Sequence, residues 1–127
     1  LGEKLDSVDG YLDEILKAAR RLEFSATWLG DKVRHPNLEL LWLRRETSPD
    51  QPWVYISSGV HGDEPAGPLA LLRCLQSGAL PEGLNYDIFP CLNPWGLNSG
   101  SRLTSTGIDL NRDYKSLQTP EAQIHHQ

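Results

Sequence analysis

At 127 residues, with 39% hydrophobic and 23% charged positions, the chain fits one globular domain with a single core rather than a disordered segment. Its net charge of −5 is spread along the chain with no lysine-rich block, which argues against nucleic acid as a partner. No apolar run approaches the ~20 residues of a membrane span, and LGEKLDSVDG lacks a signal-peptide h-region, so the expectation is a cytoplasmic protein without membrane association.

Leu12, Ile15, Leu16, Ala19 and Leu22 recur at helical spacing and predict an amphipathic helix from Asp9 to Glu23, capped by Ser7 or Asp9. Phe24 to Leu29 and Leu38 to Arg45 read as a hairpin. Its turn signals are Gly30-Asp31 and His35-Pro36-Asn37, with His35 a turn residue rather than a ligand. The polar loop TSPDQP leads into Trp53 to Ile56, an apolar run that reads as a buried strand. Pro65 opens the next helix, Leu69, Leu72 and Leu75 mark its core face, and Ser77-Gly78 ends it. Tyr86 to Leu92 reads as a further strand. Trp95 to Ser116 is a long polar loop, of the kind that carries function. Thr119 and Pro120 then begin a last helix, with His125 and His126 on its surface. Cys74 and Cys91 form no C-x-x-C pair and read as small buried hydrophobes, with a disulfide between them as the competing reading.

Chemistry concentrates where the Trp53 strand turns into the Pro65 helix. There His61 and Glu64 stand three positions apart. Zinc takes neutral imidazole and carboxylate ligands, so the pair supplies two donors of suitable type. The competing reading is structural, with Asp63 or Glu64 capping the helix and His61 a loop residue. Downstream lie Asn93-Pro94-x-Gly96, then Arg102, then Gly107-Ile108-Asp109-Leu110-Asn111-Arg112. Alone, Asn111-Arg112 would read as a turn residue followed by a surface salt bridge.

In that order and at that spacing, these pieces resemble the zinc carboxypeptidases of the carboxypeptidase A type, the M14 metallopeptidases. The resemblance implies an α/β fold, a three-layer α/β/α sandwich with a mixed central sheet, of which residues 1–127 would be the N-terminal portion of one catalytic domain. It implies Zn²⁺ held by His61 and Glu64, with Arg102 polarising the scissile carbonyl and stabilising the oxyanion. Asn111 and Arg112 would bind the terminal carboxylate of the substrate. These roles suit the residue types: fixed positive charge stabilises a developing oxyanion, and a guanidinium grips a carboxylate in a bidentate fork.

The implied activity is a metallocarboxypeptidase that hydrolyses the amide bond next to a C-terminal carboxylate. The Arg102 to Gly107 segment and the His-Gly-Asp-Glu turn look most like compact bacterial members such as the murein peptide amidases. One alternative is an N-acyl amino acid deacylase of the related aspartoacylase and succinylglutamate desuccinylase group. Another is a truncated domain that binds carboxylates without hydrolysing them. The family's third zinc ligand and general-base glutamate fall beyond the Asn-Arg motif and have no match in this sequence. The expected partners are therefore a carboxylate-bearing substrate and the missing half of the domain, and the chain alone is expected to be inactive.

Overall fold

The computed structural model describes residues 7–126. Helix α1 (Val8–Arg21) starts where Ser7 accepts a hydrogen bond from the Gly10 amide, and its buried stripe is Tyr11, Leu12, Ile15, Ala18 and Ala19. Arg20 and Arg21 lie at its C-terminal end, where cations suit the helix dipole. Strands β1 (Ser25–Leu29) and β2 (Leu40–Arg45) form the expected antiparallel hairpin.

β3 (Trp53–Ser57), α2 (Ala66–Ser77) and β4 (Asn85–Phe89) follow, with β3 and β4 parallel across the helical crossover. The sheet order is β1-β2-β4-β3, so β4 sits between an antiparallel and a parallel neighbour and the sheet is mixed. α1 and α2 cover one face, packing Ile15, Ala18 and Leu75 onto Leu41, Leu43, Tyr86 and Ile88. On the other face Phe89 and Leu92 pack with Leu110 and Ala122. The result is an α/β fold with helices on both sides of the sheet.

Two expectations need correction. β3 is an edge strand rather than a buried one: Trp53 and Tyr55 on its outer positions are 39% and 53% exposed. Its apolar, aromatic composition suits a strand, but composition does not say which strand ends a sheet. The segment from Trp95 to Ser116 is not one loop either. It holds α3 (Pro94–Ser99) and α4 (Leu110–Asp113), both too short to leave a helical period in the sequence. α5 (Pro120–His126) begins as expected, with Thr119 Oγ1 accepting from the Ala122 amide.

Buried side chains fix the connections. Asn85 receives the Thr47 amide at 2.8 Å and donates to the Ser48 carbonyl at 2.7 Å, which pins the loop before β3. Asp113 takes the Gln118 amide and both the amide and hydroxyl of Thr119, joining α4 to α5. Burial alone would raise its pKa, but these donors favour the ionised form and the net shift is downward. Both cysteines are free; Cys91 is buried, which pushes its thiol up to about 12, and Cys74 is half-buried.

Candidate active site

The turn after β3 is built by backbone contacts. The Leu92 and Asn93 amides donate to the Ser58 and Gly59 carbonyls, so the chain leaving β3 stays beside the chain leaving β4. Gly62 then packs directly on Gly96: a Cβ at position 62 would lie 1.9 Å from the Gly96 carbonyl. Asn93 caps α3 through the Gly96 amide and also donates to the Leu103 carbonyl at 3.2 Å. The Asn-Pro-x-Gly motif therefore sets the closeness of the His61 turn to the loop that carries Arg102. The Gly62 amide, donating to the Ser101 carbonyl at 2.8 Å, fastens the two together.

That loop is folded on itself, with the Thr104 amide on the Ile108 carbonyl and the Gly107 amide on the Thr104 carbonyl. It returns Asp109 to the turn. There His61 is buried, its Nε2 2.8 Å from Asp109 Oδ1 and its Nδ1 3.3 Å from Glu64 Oε2. Arg102 lies across both carboxylates, Nη2 3.2 Å from Asp109 Oδ2 and Nη1 4.0 Å from Glu64 Oε1. The hydrogen bond from His61 is the main influence holding the Asp109 carboxyl below its ordinary pKa. The Asn111 amide and the Arg102 charge add to it, against the opposing effect of burial.

The structure thus brings three of the five sequence-predicted site residues, His61, Glu64 and Arg102, into one cluster. Pro65 provides no side-chain cap for α2, and Glu64 turns to His61 instead. Asn111 and Arg112 are exposed on α4, directly after Asp109, and Asn111 borders a shallow depression shared with Tyr55, Ser57, Tyr114 and His125.

Two residues were missed by sequence reasoning. Asp109 was visible within GIDLNR, and a carboxylate two residues before Asn111 was its only signal. His125, expected on the helix surface, is half-buried instead. Its Nε2 is 2.5 Å from the Tyr55 hydroxyl, its Nδ1 2.8 Å from the Tyr114 hydroxyl, and its ring packs edge-on against Phe89 at 4.6 Å. His126 is exposed, as expected.

The donor set fits a metal in type and spacing. Two ligands sharing a tetrahedral zinc at about 2.0–2.2 Å stand roughly 3.3–3.6 Å apart, and His61 Nδ1 and Glu64 Oε2 are 3.3 Å apart. With Nε2 donating to Asp109, the neutral tautomer leaves its lone pair on Nδ1, facing Glu64. Among the described residues no group of three or more His, Cys, Asp or Glu side chains is disposed to hold a metal.

Comparison with known proteins places this geometry. The family profile described as succinylglutamate desuccinylase/aspartoacylase catalytic domain matches residues 50–123, the stretch that carries the whole cluster. Murein peptide amidase A of Escherichia coli strain K12 is 31% identical over 68 residues, which is 54% of this chain and 28% of that protein. A candidate metallopeptidase from Shewanella denitrificans OS217 superposes with a TM-score of 0.80 at 27% identity, over 94% of this chain and 45% of its own. A metallo-carboxypeptidase from Pseudomonas aeruginosa, at 16% identity and a TM-score of 0.74 over 91% of this chain and 34% of its own, shares the fold. This chain spans less than half the length of each. It belongs to the succinylglutamate desuccinylase/aspartoacylase catalytic-domain family.

Proposed function

We propose that this chain supplies the front half of a zinc-dependent carboxypeptidase-type site, which hydrolyses the amide bond next to a substrate's C-terminal carboxylate. The observation that carries the reading is His61: Nε2 is engaged by Asp109 and Nδ1 is presented toward Glu64 at metal-sharing distance. His61 and Glu64 would hold the ion, which supplies Lewis acidity toward the carbonyl and toward water. Asp109 fixes the His61 tautomer and ring orientation. Arg102, already held beside the two carboxylates, brings positive charge to the place where the carbonyl oxygen gains negative charge. Asn111 and Arg112 on α4 hold the substrate carboxylate, Arg112 through a bidentate fork and Asn111 as a neutral donor. The third ligand and the proton-shuttling base would come from residues outside this sequence, in keeping with the longer relatives.

The likeness to murein peptide amidase A favours a peptide substrate, whereas the family profile favours an N-acyl amino acid. The two readings share the metal and Arg102 and differ in what lies beyond Arg112. The intact protein as its gene encodes it, loaded with zinc, should be assayed on C-terminal-carboxylate peptides, including peptides ending in a diamino acid, and on N-acyl amino acids. Turnover of peptides abolished in His61→Ala is the expected result. Turnover of acyl amino acids alone would transfer the assignment to the deacylase. Carboxylate binding without hydrolysis of either class would sink the catalytic reading.

A further inference from the structure

Asn111 and Arg112, the carboxylate receptor of the proposed function, stand exposed on α4, a helix of a single turn. A helix that short has no stability of its own, so the place of the receptor is set by whatever anchors its two ends. At the front, Asp109 accepts the Asn111 amide at 3.0 Å and meets His61 at 2.8 Å, which ties α4 to the turn leaving β3. Two anchors hold the back. Asp113 takes the Gln118 and Thr119 amides and fastens α4 to α5. Tyr114, the residue that ends α4, places its hydroxyl 2.8 Å from His125 Nδ1, and Nε2 of the same ring is 2.5 Å from the hydroxyl of Tyr55 on β3. The chain of contacts is therefore closed: from β3 to the His61 turn, through Asp109 to α4, then through Tyr114 and His125 back to β3.

Burial favours the neutral form of His125. A neutral imidazole carries one N–H and one lone pair, so one tyrosine accepts from it, the other donates to it, and both bonds depend on the same ring. Phe89 meets that ring edge-on, with centroids 4.6 Å apart, and backs it from β4. Asn111, Tyr114, His125 and Tyr55 line one depression of about 310 Å³, so the link lies beside the receptor. We infer that His125 is a positioning residue: by bonding both Tyr55 and Tyr114 it holds the back of α4 against β3 and so fixes Asn111 and Arg112 relative to the His61 turn. What the receptor binds rests on the proposed function; how it is held does not. His125 acts through α4 and leaves the metal turn to Asp109, so its loss weakens the grip on the carboxylate and spares the metal. Misplacing a binding group by about 1 Å can cost on the order of 10²-fold, which is why so slight a link matters.

The test uses the intact protein in two assays. In the first, zinc is removed and 4-methylpentanoate, a carboxylate with no amide to cleave, is titrated by calorimetry, with Arg112→Ala as the control that it sits on α4. In the second, the zinc-loaded protein hydrolyses C-terminal-carboxylate peptides. Tyr114→Phe and Tyr55→Phe each remove one hydroxyl. Each should weaken Arg112-dependent binding about fivefold and raise KM by a similar factor, with kcat within about twofold and zinc affinity unchanged. His125→Phe should match them with near-UV dichroism native, and if it misfolds the tyrosine pair decides. The double tyrosine variant should lose no more than either single one, because both break one link. Arg112-dependent binding unchanged in the tyrosine variants would overturn the inference and leave the proposed function standing. Additive losses, or kcat falling together with zinc affinity, would mark a general loosening and overturn it as well. So would absence of Arg112-dependent binding in the wild type, since α4 would then hold no receptor. Weakened binding in the variants of a protein that hydrolyses no peptide would count against the proposed function and leave the positioning role intact.

Discussion

His61 and Asp109 are 48 positions apart in the chain, yet the imidazole Nε2 meets the carboxylate at 2.8 Å and the ring is fixed by it. The contact occupies Nε2 and leaves Nδ1 facing Glu64 at 3.3 Å, so in the proposed metal site Asp109 would orient the ring without being a ligand itself. Removing such a partner of a ligating histidine typically weakens metal binding about 10–100-fold. Asp109→Ala should weaken zinc binding to the intact protein by that factor, read by competition with a chromogenic chelator. Zinc affinity indistinguishable from wild type would show that Asp109 does not orient His61.

The approach of Gly62 to Gly96 gives a second expectation. A methyl group at position 62 would overlap the Gly96 carbonyl, and both partners are backbone, so relief requires the His61 turn to separate from α3. Forcing extra volume into a packed site costs about 1–3 kcal/mol. Gly62→Ala should lower the urea midpoint accordingly and displace His61 from Arg102. An unchanged midpoint would mean that the two segments are not held in contact in solution.

Much of this architecture was legible in the sequence because it rests on local rules. The α1 stripe, the Ser7 cap, the hairpin turn and the Thr119-Pro120 helix start each follow from residues within one or two turns of one another. The turn that presents His61 and Glu64 was legible for the same reason. What stayed hidden depends on tertiary placement. β3 shows the same composition whether central or at an edge, and α3 and α4 are too short for periodicity. His125 reads as a surface helix residue until Tyr55, some 70 positions earlier, is found opposite it. The Asn-Pro-x-Gly motif was visible, but not its reason, which is the backbone contact with Gly62.

His125 makes stability depend on pH. Burial disfavours its charged form and holds its pKa below the ordinary histidine value. Tyrosine hydroxyls at both ring nitrogens suit a neutral ring, which donates from one nitrogen and accepts at the other. A folded pKa below the unfolded value near 6.5 means that the unfolded chain binds more protons between the two. The stabilisation is therefore present above about pH 6.5 and is lost as pH falls through the folded value. Urea midpoints measured from pH 7.5 to 5 should decline in wild type and decline less in His125→Gln. Parallel curves for the two proteins would rule out this ring as a source of the dependence.

The 127-residue chain by itself should hydrolyse neither peptides nor acyl amino acids at a rate expected of the longer relatives. His61 and Glu64 offer two donors, and among the described residues no third side chain joins them. A catalytic zinc is ordinarily held by three protein ligands, so occupancy at trace metal should be poor. Among the described residues no glutamate beyond Glu64 stands in the cluster to act as the base, and loss of a positioned general base typically costs about 10²–10⁴-fold. Solubility should suffer as well. Among the described residues β3 ends the sheet and carries exposed Trp53 and Tyr55, the arrangement that invites strand addition between copies. Residues 1–127 should therefore be compared with the intact protein, each with added zinc, by turnover on both substrate panels and by light scattering. Robust turnover by the short chain, abolished in His61→Ala, would show that two ligands and Arg102 suffice, and the division of the site proposed here would be wrong.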